Sequence, residues 1–423
     1  MNPNVPEGEV FMKYSKDEVI QYMQEEDVKF IRLAFSDVFG NQKNIAIMPD
    51  ELPHAFEYGI PFDAAAIPGF SEISDGDLFL HPEPDTLMPL PWRPEHGRVV
   101  QMMSAITHPD GTPFVSDTRS YLKKAISFAA EKGYTFTIGQ EMEFYLFKLD
   151  ETGKPTSIPC DEAGYMDIAP EDRGENVRRE ICLTLEQMGI RPVSSHHEEG
   201  PGQNVVDFRF ADPLFAADHA QVFKRVVKTV AARNGLSASF SPKPLENMPG
   251  NGFRIHLSLN PVGLSLTPST SPTESHTFLS MAAGILANIR AMTLLLNPSR
   301  ESYLRLGNHK APRTLSWSKD RRSHLIRIPT VPGNTMCAEL RSPDPLANPY
   351  LALALLIYAG IDGIEKKLML PEAADALPSV SDALLRQCEA LPASYAEACD
   401  VAASSAFINA VLPKEILSAY LHR

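Results

Sequence analysis

The segment GQEMEFYLF, residues 139–147, constrains the fold more than any other stretch of the chain. As a β-strand it would alternate its side chains between two faces with a period of two. Glu141, Glu143 and Tyr145 then share one face. The apolar residues of the opposite face indicate packing on a hydrophobic core: Met142, Phe144 and Leu146. The segment therefore predicts a strand with one core-facing side and one side that carries carboxylates.

Glu141 and Glu143 are two carboxylates whose Cα atoms are separated by about 6–7 Å, the rise of two strand residues. Like charges this close repel each other unless a cation lies between them. Carboxylate oxygens are ligands that suit Mg²⁺ or Mn²⁺. The pair alone is equally compatible with an exposed strand face that bears two solvated glutamates, so the choice depends on the rest of the sequence.

Composition limits the classes of protein to which the chain can belong. Its 423 residues fit two domains, and its formal net charge of −14 argues against general binding to nucleic acid or to an anionic membrane. The longest uninterrupted apolar runs, such as 350–361, are about a dozen residues, too short to span a bilayer. Five cysteines without CxxC spacing, and an N-terminus without a secretion pattern, predict reduced thiols in a cytoplasmic protein.

Local patterns predict the first elements. Ser15 and Glu18 have the spacing of a capping box, which predicts a short helix after Ser15. The stretches 29–35 and 43–47 are rich in strand-forming residues and flank a turn that contains Gly40. They predict a β-hairpin.

The rest of the sequence interleaves strands and helices, so the predicted class is mixed, α+β. The strand with the two glutamates is predicted over 135–147, interrupted near Gly139, and a later strand over 325–331. Asp212 followed by Pro213 predicts the start of a long helix. We predict two domains, at 1–105 and 106–423.

Several motifs follow one another in a defined order: EME at 141–143, HHEEGPGQ at 196–203, GNGFRIHLSL at 250–259, SYLRL at 302–306, IRIP at 326–329 and ELRSPDPLANPYL at 339–351. Their order and spacing resemble the class I glutamine synthetase family over nearly the whole chain. The run RSPDPLANPYLALALLIYAGIDGIEKK is the most specific match. The segments KFIRLAFSDVFGNQKNIAI and PFDAAAIPGF resemble that family's small β-grasp domain.

This resemblance implies a fold and an activity. The fold is a small N-terminal β-grasp domain followed by a large catalytic domain with a curved antiparallel sheet and helices. The activity is an ATP-dependent ligation that joins ammonia to the γ-carboxyl of glutamate through a γ-glutamyl phosphate, with Mg²⁺ or Mn²⁺ as cofactor. The family builds its sites between adjacent subunits of two stacked hexameric rings, which implies a dodecamer.

The resemblance also implies roles for individual residues. The metal ligands would be Glu141, Glu143, Glu198 and Glu339. The residues that bind the acid substrate would be Gly250, Arg305 and Arg341. The residues that contact ATP would be His256, Ser258, Arg322 and Arg327, with Arg322 also facing the transferred phosphoryl group. Asp63 of a neighbouring subunit would help deprotonate ammonium. Without the family resemblance, the simpler interpretation of Arg305, Arg322 and Arg341 would be that they form surface ion pairs.

The sequence departs from the family pattern where charge matters most. Val205 replaces a third metal-binding glutamate, Arg254 a metal-binding histidine, and Lys310 a glutamate near the ammonium site. Pro249 replaces an asparagine before Gly250, and three alanines follow Asp63 in place of Gly-Ser-Ser. The first three changes all make the site more positive, and a guanidinium cannot coordinate a metal. We therefore predict that the metal site of Glu141 and Glu339 is weakened or lost, with Arg254 supplying positive charge.

Three functions remain open from the sequence. The first is glutamine synthesis itself. The second is a γ-glutamyl amide ligase with another amine, because Lys310 would repel ammonium and could attract an amine that carries an acidic group; the acid substrate could also differ from glutamate. The third is a non-catalytic binding or regulatory relative. The arginines at 305, 322, 327 and 341 favour ligand binding of some kind.

Overall fold

Two β-sheets organise the protein, one in its N-terminal part and one in the larger remainder. The structure is a computed structural model that describes residues 14–70, 74, 76–92, 97–263, 272–329, 336–374 and 389–423. The carboxylate-bearing segment 139–147 belongs to the second sheet, at its centre.

The N-terminal part begins with helix α1, Lys16–Glu25. Ser15 and Glu18 cap it reciprocally: the Ser15 backbone N–H donates to the Glu18 carboxylate at 2.7 Å, and the Ser15 hydroxyl accepts from the Glu18 N–H. The first sheet has the order β2-β1-β6-β4-β3, with β5 beside β6. Its strands are β1 Val28–Ser36, β2 Gln42–Ile47, β3 Ile60–Asp63, β4 Asp77–Pro82, β5 Met88–Pro89 and β6 Arg98–Thr107, and helix α2, Leu52–Tyr58, precedes β3.

The second sheet has the order β13-β14-β15-β12-β7-β10-β9, with β8 and β11 also paired to β7. Its pairings are antiparallel except for β13 with β14. The strands are β7 Tyr134–Leu149, β8 Pro155–Pro159, β9 Pro192–His197, β10 Gln203–Ala211, β11 Leu236–Ser239, β12 Phe253–Pro261, β13 Trp317–Ser318, β14 Ile326–Arg327 and β15 Ala338–Leu340.

Helices pack on the apolar side of this sheet. The described helices that follow the first sheet in the chain are α3 Thr118–Glu131, α4 Glu175–Gln187, α5 Pro213–Arg233, α6 Pro272–Leu296, α7 Arg300–Arg305, α8 Pro349–Glu365, α9 Tyr395–Ser404, α10 Ala406–Val411 and α11 Lys414–Leu421. Phe144 of β7 is fully buried, and its ring centroid lies 5.9 Å from that of Phe223 in α5. The helical layer therefore covers one face of β7 and leaves the glutamate-bearing face for the site.

A buried ionic network joins the two parts. Arg119 of α3 donates to Glu83, between β4 and β5, at 2.7 Å and to Asp218 of α5 at 2.9 and 2.8 Å. The Tyr350 hydroxyl, at the start of α8, also donates to Asp218 at 2.7 Å. Because Arg119 is 5% exposed, these partners compensate the desolvation of its charge. The network ties the first sheet to helices of the second part.

Most predicted elements are confirmed. The capping box, the hairpin of β1 and β2 and the start of α5 at Pro213, capped by Asp212, occur as the local patterns indicate. The predicted interruption near Gly139 is wrong, since β7 is continuous through it. The strand predicted over 325–331 has only two strand residues, Ile326 and Arg327, and residues 330 and 331 lie outside the described part.

Within the described residues, one helical segment is long and apolar enough to cross a membrane, His276–Leu296 of α6. About two thirds of this segment, 67%, is buried inside the protein. It packs against α8, which is itself almost entirely buried. This burial is what a core helix of a globular protein shows.

Helices α6 and α8 approach closely at two glycines. A Cβ on Gly284 would meet the carbonyl oxygen of Ala359 at 2.2 Å and the Cα of Gly363 at 2.6 Å. These contacts are with backbone atoms, which cannot move aside as the end of a side chain can. The close approach therefore depends on the absence of a side chain.

We expect Gly284→Ala to destabilise the protein by about 3 kcal/mol or more, because overpacking forces the two helices apart. Gly76→Ala is the control, because a Cβ there meets nothing within 4 Å, and it should change the free energy of unfolding by no more than about 0.5 kcal/mol. Urea unfolding of both variants measures the difference. Equal effects of the two substitutions would contradict the close-packing argument.

Candidate active site

Three of the predicted carboxylates, two of them on the polar face of β7, lie around one arginine. Arg254 of β12 lies directly opposite Glu141 in the antiparallel ladder and donates to its Oε2 at 2.6 Å. A second nitrogen of the same guanidinium donates to Oε1 of Glu143. This nitrogen also lies 3.8 Å from Oε1 of Glu198, just after β9. One guanidinium therefore bridges three carboxylates.

Glu143 is fixed from a second side. Its Oε2 accepts a hydrogen bond of 2.6 Å from the backbone N–H of Gly252, at the start of β12. The residue is 5% exposed, so both oxygens are held by the protein. The two carboxylates of β7 therefore lie side by side, as the period of two predicts, with Arg254 between them.

The fourth predicted carboxylate, Glu339 of β15, has its own arginines. Arg341 donates to Oε1 of Glu339. Arg327 lies directly opposite Glu339 in the β14–β15 ladder and donates to Oε2 of Glu339 at 3.2 Å. His256 of β12 lies opposite Glu339 in the β12–β15 ladder, and its Nε2 is 2.9 Å from Oε1 of Glu141. Each of the four carboxylates therefore contacts a positively charged group or a histidine of the same chain.

These contacts shift the pKa values of the cluster in opposite directions. Burial alone would raise the pKa of Glu141, but the hydrogen bond and charge of His256, with Arg254, outweigh burial and hold it well below its usual range. Burial is decisive at Glu143, whose pKa stays above the ordinary value despite Arg254. Burial lowers the pKa of His256, but its hydrogen bonds with Cys337 and Glu141 outweigh this and raise the pKa to about 10. An ionised Glu141 therefore lies beside a protonated His256 at neutral pH.

A cavity opens beside this cluster. Five predicted residues line it: Glu143, Glu198, Gly250, Arg305 and Arg341. Gly250 packs directly on Arg305, since a Cβ there would meet Cγ of Arg305 at 2.9 Å and the Pro242 carbonyl oxygen at 2.2 Å. Only glycine allows this close approach of the backbone. The cavity thus combines a glycine backbone with a guanidinium, a combination that can bind a carboxylate.

Arg305, the last residue of α7, is 4% exposed. It donates to two backbone carbonyls, those of Ser342 at 2.8 Å and Arg341 at 3.2 Å, and its Nε has no hydrogen-bond partner. Among the described residues, no carboxylate lies within ion-pairing distance of it, and burial lowers its pKa below the usual value. Arg305 is a buried cation without a carboxylate in direct contact, and the charges of Asp344 and Glu143 offset its burial only in part.

Lys310 lies at another side of the cavity. Its ammonium contacts Oε1 of Glu199 and lies 5.4 Å from the centroid of the Tyr165 ring. Glu199 is therefore a second acidic residue of the motif at 196–203, and it faces a lysine. The positive charge of Lys310 is paired within the chain and is also half exposed, with 52% of its side chain accessible.

The other predicted residues do not line this cavity. Asp63 ends β3 in the first sheet, is exposed, and accepts a hydrogen bond of 2.8 Å from the N–H of Ala65. Arg322 is exposed between β13 and β14. Ser258 is buried and donates to the Met336 carbonyl at 2.9 Å. Arg327 and His256 adjoin the carboxylate cluster through Glu339 and Glu141, outside the cavity lining.

Sequence reasoning missed three residues of the site. Glu199 and Tyr165 surround Lys310, and Asp207 of β10 lies directly opposite Glu141. Asp207 lies two residues after Val205, so strand alternation could have placed it on the same face. Glu199 had no such signal, because its contact joins segments more than a hundred residues apart.

The donor set fits the two-ion site of the family poorly. Val205 is fully buried opposite Glu143 and offers methyl groups where a third oxygen is needed, and the Arg254 guanidinium lies between Glu143 and Glu198. Glu141, His256 and Glu339 do bring potential ligand atoms within 4.8 Å of one another. Their carboxylates, however, are already bound by arginines.

Two family profiles match the chain. The one described as glutamine synthetase, beta-Grasp domain, matches residues 27–109, and the one described as glutamine synthetase, catalytic domain, matches residues 115–423. The glutamine synthetase of Methanosarcina mazei is 42% identical over 413 residues, which cover 96% of this chain and 92% of that protein. That of Clostridium saccharobutylicum is 43% identical over 367 residues, covering 86% and 83%.

Solved structures give the same result. A GmaS complex with ADP superposes with a TM-score of 0.85 and 28% identity, covering 96% of this chain and 94% of that one. GmaS without ligand gives 0.84 and 28%, covering 95% and 93%. The β-grasp and catalytic domains and these relatives define a ligase that forms C–N bonds, as predicted. The chain belongs to the glutamine synthetase family, whose members use ATP and a divalent metal.

We expect Arg254→Met to destabilise the protein by about 3 kcal/mol at pH 7.5, because it leaves buried carboxylates without their cation. The lowered pKa of Glu141 gives a contribution that is present above its unfolded pKa and is lost as pH falls through the folded pKa. The destabilisation should therefore shrink as pH falls below about 4.5, the ordinary value.

Urea unfolding at pH 7.5 and near pH 3, which is closer to the lowered pKa of Glu141, measures this change. Arg209→Met is the control, because Arg209 is exposed on β10 and should alter stability by no more than about 0.5 kcal/mol. A loss of stability that is the same at both pH values would mean that Arg254 acts through packing and not through charge.

Proposed function

We propose that this protein is an ATP-dependent carboxylate–amine ligase whose acid substrate presents a carboxylate to Arg305 and whose amine substrate is not free ammonium. The ligase class follows from the family. The substrates are our inference from the geometry of the cavity and from the residues by which the chain departs from the family.

The buried Arg305 carries the first part of this proposal. Arg305 is removed from water, and among the described residues no carboxylate lies within ion-pairing distance of it. The charges of Asp344 and Glu143 act on it from farther away, and burial still lowers its pKa. An anion that reaches the guanidinium would offset the remaining cost of its burial. The aliphatic part of the Arg305 side chain lies against Gly250 in the cavity wall, and its guanidinium lies beside Gly252. A planar guanidinium binds both oxygens of a carboxylate well. Arg341 lines the same cavity but is already bound to Glu339. An amino acid or related acid therefore suits the cavity.

Lys310 supports the second part. A glutamate at this place would attract ammonium, whereas an ammonium group of the chain itself repels one. Lys310 also contacts Glu199 and Tyr165, so the acidic and aromatic groups that could bind a small cation there are already engaged. A larger amine that reaches past Lys310, or one with an acidic group that pairs with it, suits the cavity better than free ammonium.

The proposed reaction has two steps. An oxygen of the substrate carboxylate attacks the γ-phosphorus of ATP, ADP leaves, and an acyl phosphate forms. The amine nitrogen then attacks the acyl carbon, phosphate leaves, and the amine gives up a proton to a base. Arg305 orients the acid, and Arg322 and Arg327 are the family's candidates for contact with the phosphate oxygens.

Asp63 is the family's candidate for the base. Its exposed position in the first sheet, outside the cavity, suits a residue that serves the site of an adjacent subunit. We therefore also propose an oligomer, a dodecamer of two hexameric rings by family analogy. A cytoplasmic location is proposed from composition, and the four described cysteines are free thiols.

A non-catalytic binding protein is the second candidate. The observation in its favour is that the four carboxylates expected to hold metal ions are paired with Arg254, Arg327, Arg341 and the histidines. Such a protein would bind the same acid at Arg305 without turnover. Release of ADP distinguishes the two candidates.

Purified protein with ATP, Mg²⁺ and glutamate, offered ammonium and then a panel of amines, should release ADP with at least one amine. The product is identified by mass. Arg305→Gln should lower kcat/KM for the acid by about 100-fold or more, mostly through KM, since it removes a buried charge-assisted contact. Arg305→Lys, which keeps the charge but not the fork, is the matched control and should lose less. No ADP release with any amine would favour the binding protein.

Lys310→Glu should shift the amine preference toward ammonium, lowering KM for ammonium by about tenfold, because it replaces a repulsive charge with an attractive one. Lys414→Glu makes the same charge change at an exposed lysine that does not line the cavity. It should leave the preference as it is in the unmodified protein. If Lys310→Glu also left it unchanged, Lys310 would not determine the amine.

A further inference from the structure

We propose that the Arg254 guanidinium is a resident cation that takes the place of divalent metal in the carboxylate cluster, so that the cluster does not bind Mg²⁺ or Mn²⁺ at millimolar concentration. This inference concerns the site of the proposed function, but its test does not require turnover. It departs from the metal use that the family implies.

The first observation is the position of the guanidinium. It bonds to Glu141 and Glu143 and lies 3.8 Å from Glu198, so it occupies the space toward which three metal-ligating carboxylates converge. The β7–β12 register holds Arg254 opposite Glu141, which keeps the two side chains together. An arginine remains protonated at every physiological pH, so this positive charge is permanent. A divalent ion would have to displace it and would be repelled by it.

The second observation is the balance of charge. Four carboxylates of the cluster face three guanidiniums, those of Arg254, Arg327 and Arg341, and the imidazole of His256, so most of their negative charge is compensated before any ion is added. Two divalent ions would add four positive charges to a largely buried site. The cluster is therefore already close to electrically neutral without a metal ion.

The third observation is the loss of ligand oxygens. Val205 lies opposite Glu143 and contributes only carbon atoms, so Glu143 and Glu198 lack a third oxygen partner. The nearest alternative is the group of Glu141, His256 and Glu339. Both oxygens of Glu339 are bonded to arginines, and one oxygen of Glu141 is bonded to Arg254. Any ion in this group would have to break these ion pairs first.

The experiment is a titration with Mn²⁺ alone, followed by the electron paramagnetic resonance signal of the free ion. The unmodified protein should show no saturable binding up to millimolar Mn²⁺. Arg254→His removes the fixed cation and supplies an imidazole ligand, so it should bind Mn²⁺ at least about tenfold more tightly. Arg254→Lys keeps the cation without the fork and should bind as weakly as the unmodified protein.

Saturable binding of one or two Mn²⁺ ions by the unmodified protein at or below millimolar concentration would overturn the inference. This measurement is decisive even if a variant fails to fold, which circular dichroism reveals. The double variant Arg254→His with Val205→Glu, which restores an imidazole and a third oxygen, should bind most tightly. Turnover together with Mn²⁺ binding would overturn only this inference, whereas absence of turnover without Mn²⁺ binding would contradict only the proposed function.

Discussion

The contact of Arg254 with Glu141 and Glu143 is the interaction on which the rest of the site depends. A β-ladder fixes which residues lie opposite each other, so one residue of β12 determines the surroundings of two residues of β7. Glu143 can be buried next to the core because Arg254 and the Gly252 N–H satisfy its oxygens. The same strand packs its other face on α5, so the charge balance of the site and the packing of the core are properties of one strand.

The positions of the cluster follow from the sequence as far as local periodicity reaches. The alternation over 141–147 identifies the polar and apolar faces of β7, and the motifs identify the other carboxylates. The partners of each charge do not follow, because they depend on the register between strands that are distant in sequence. Arg254 bridges Glu141 and Glu143, whereas Glu339 is held by Arg341 and Arg327, and nothing in the linear pattern distinguishes these arrangements. The sequence does not reveal the Lys310–Glu199 pair either, because the two residues lie in segments that are distant in sequence.

Two departures from the family have the same physical character. Arg254 and Lys310 each bring a cation of the chain to a place where the family binds an external cation, and each finds carboxylates there. Among the lysines, arginines and glutamates that line the cavity and that the structure describes, Arg305 is the one without an ion-pair partner. Under the proposed function, the substitutions would make external cations unnecessary, and the cavity would select for an anion at Arg305.

The buried charge of Arg305, which has no direct ion-pair partner among the described residues, has a consequence for the whole protein. The folded chain without ligand bears the desolvation of a buried guanidinium, and a carboxylate bound there as proposed would compensate it. Because only the folded state offers this cavity, binding and folding form one linked equilibrium, and occupancy stabilises the fold in proportion to the logarithm of ligand concentration. In a cell, scarcity of the acid would raise the fraction of unfolded chains, which proteases degrade. The supply of substrate would then determine the lifetime of the protein as well as its catalytic rate.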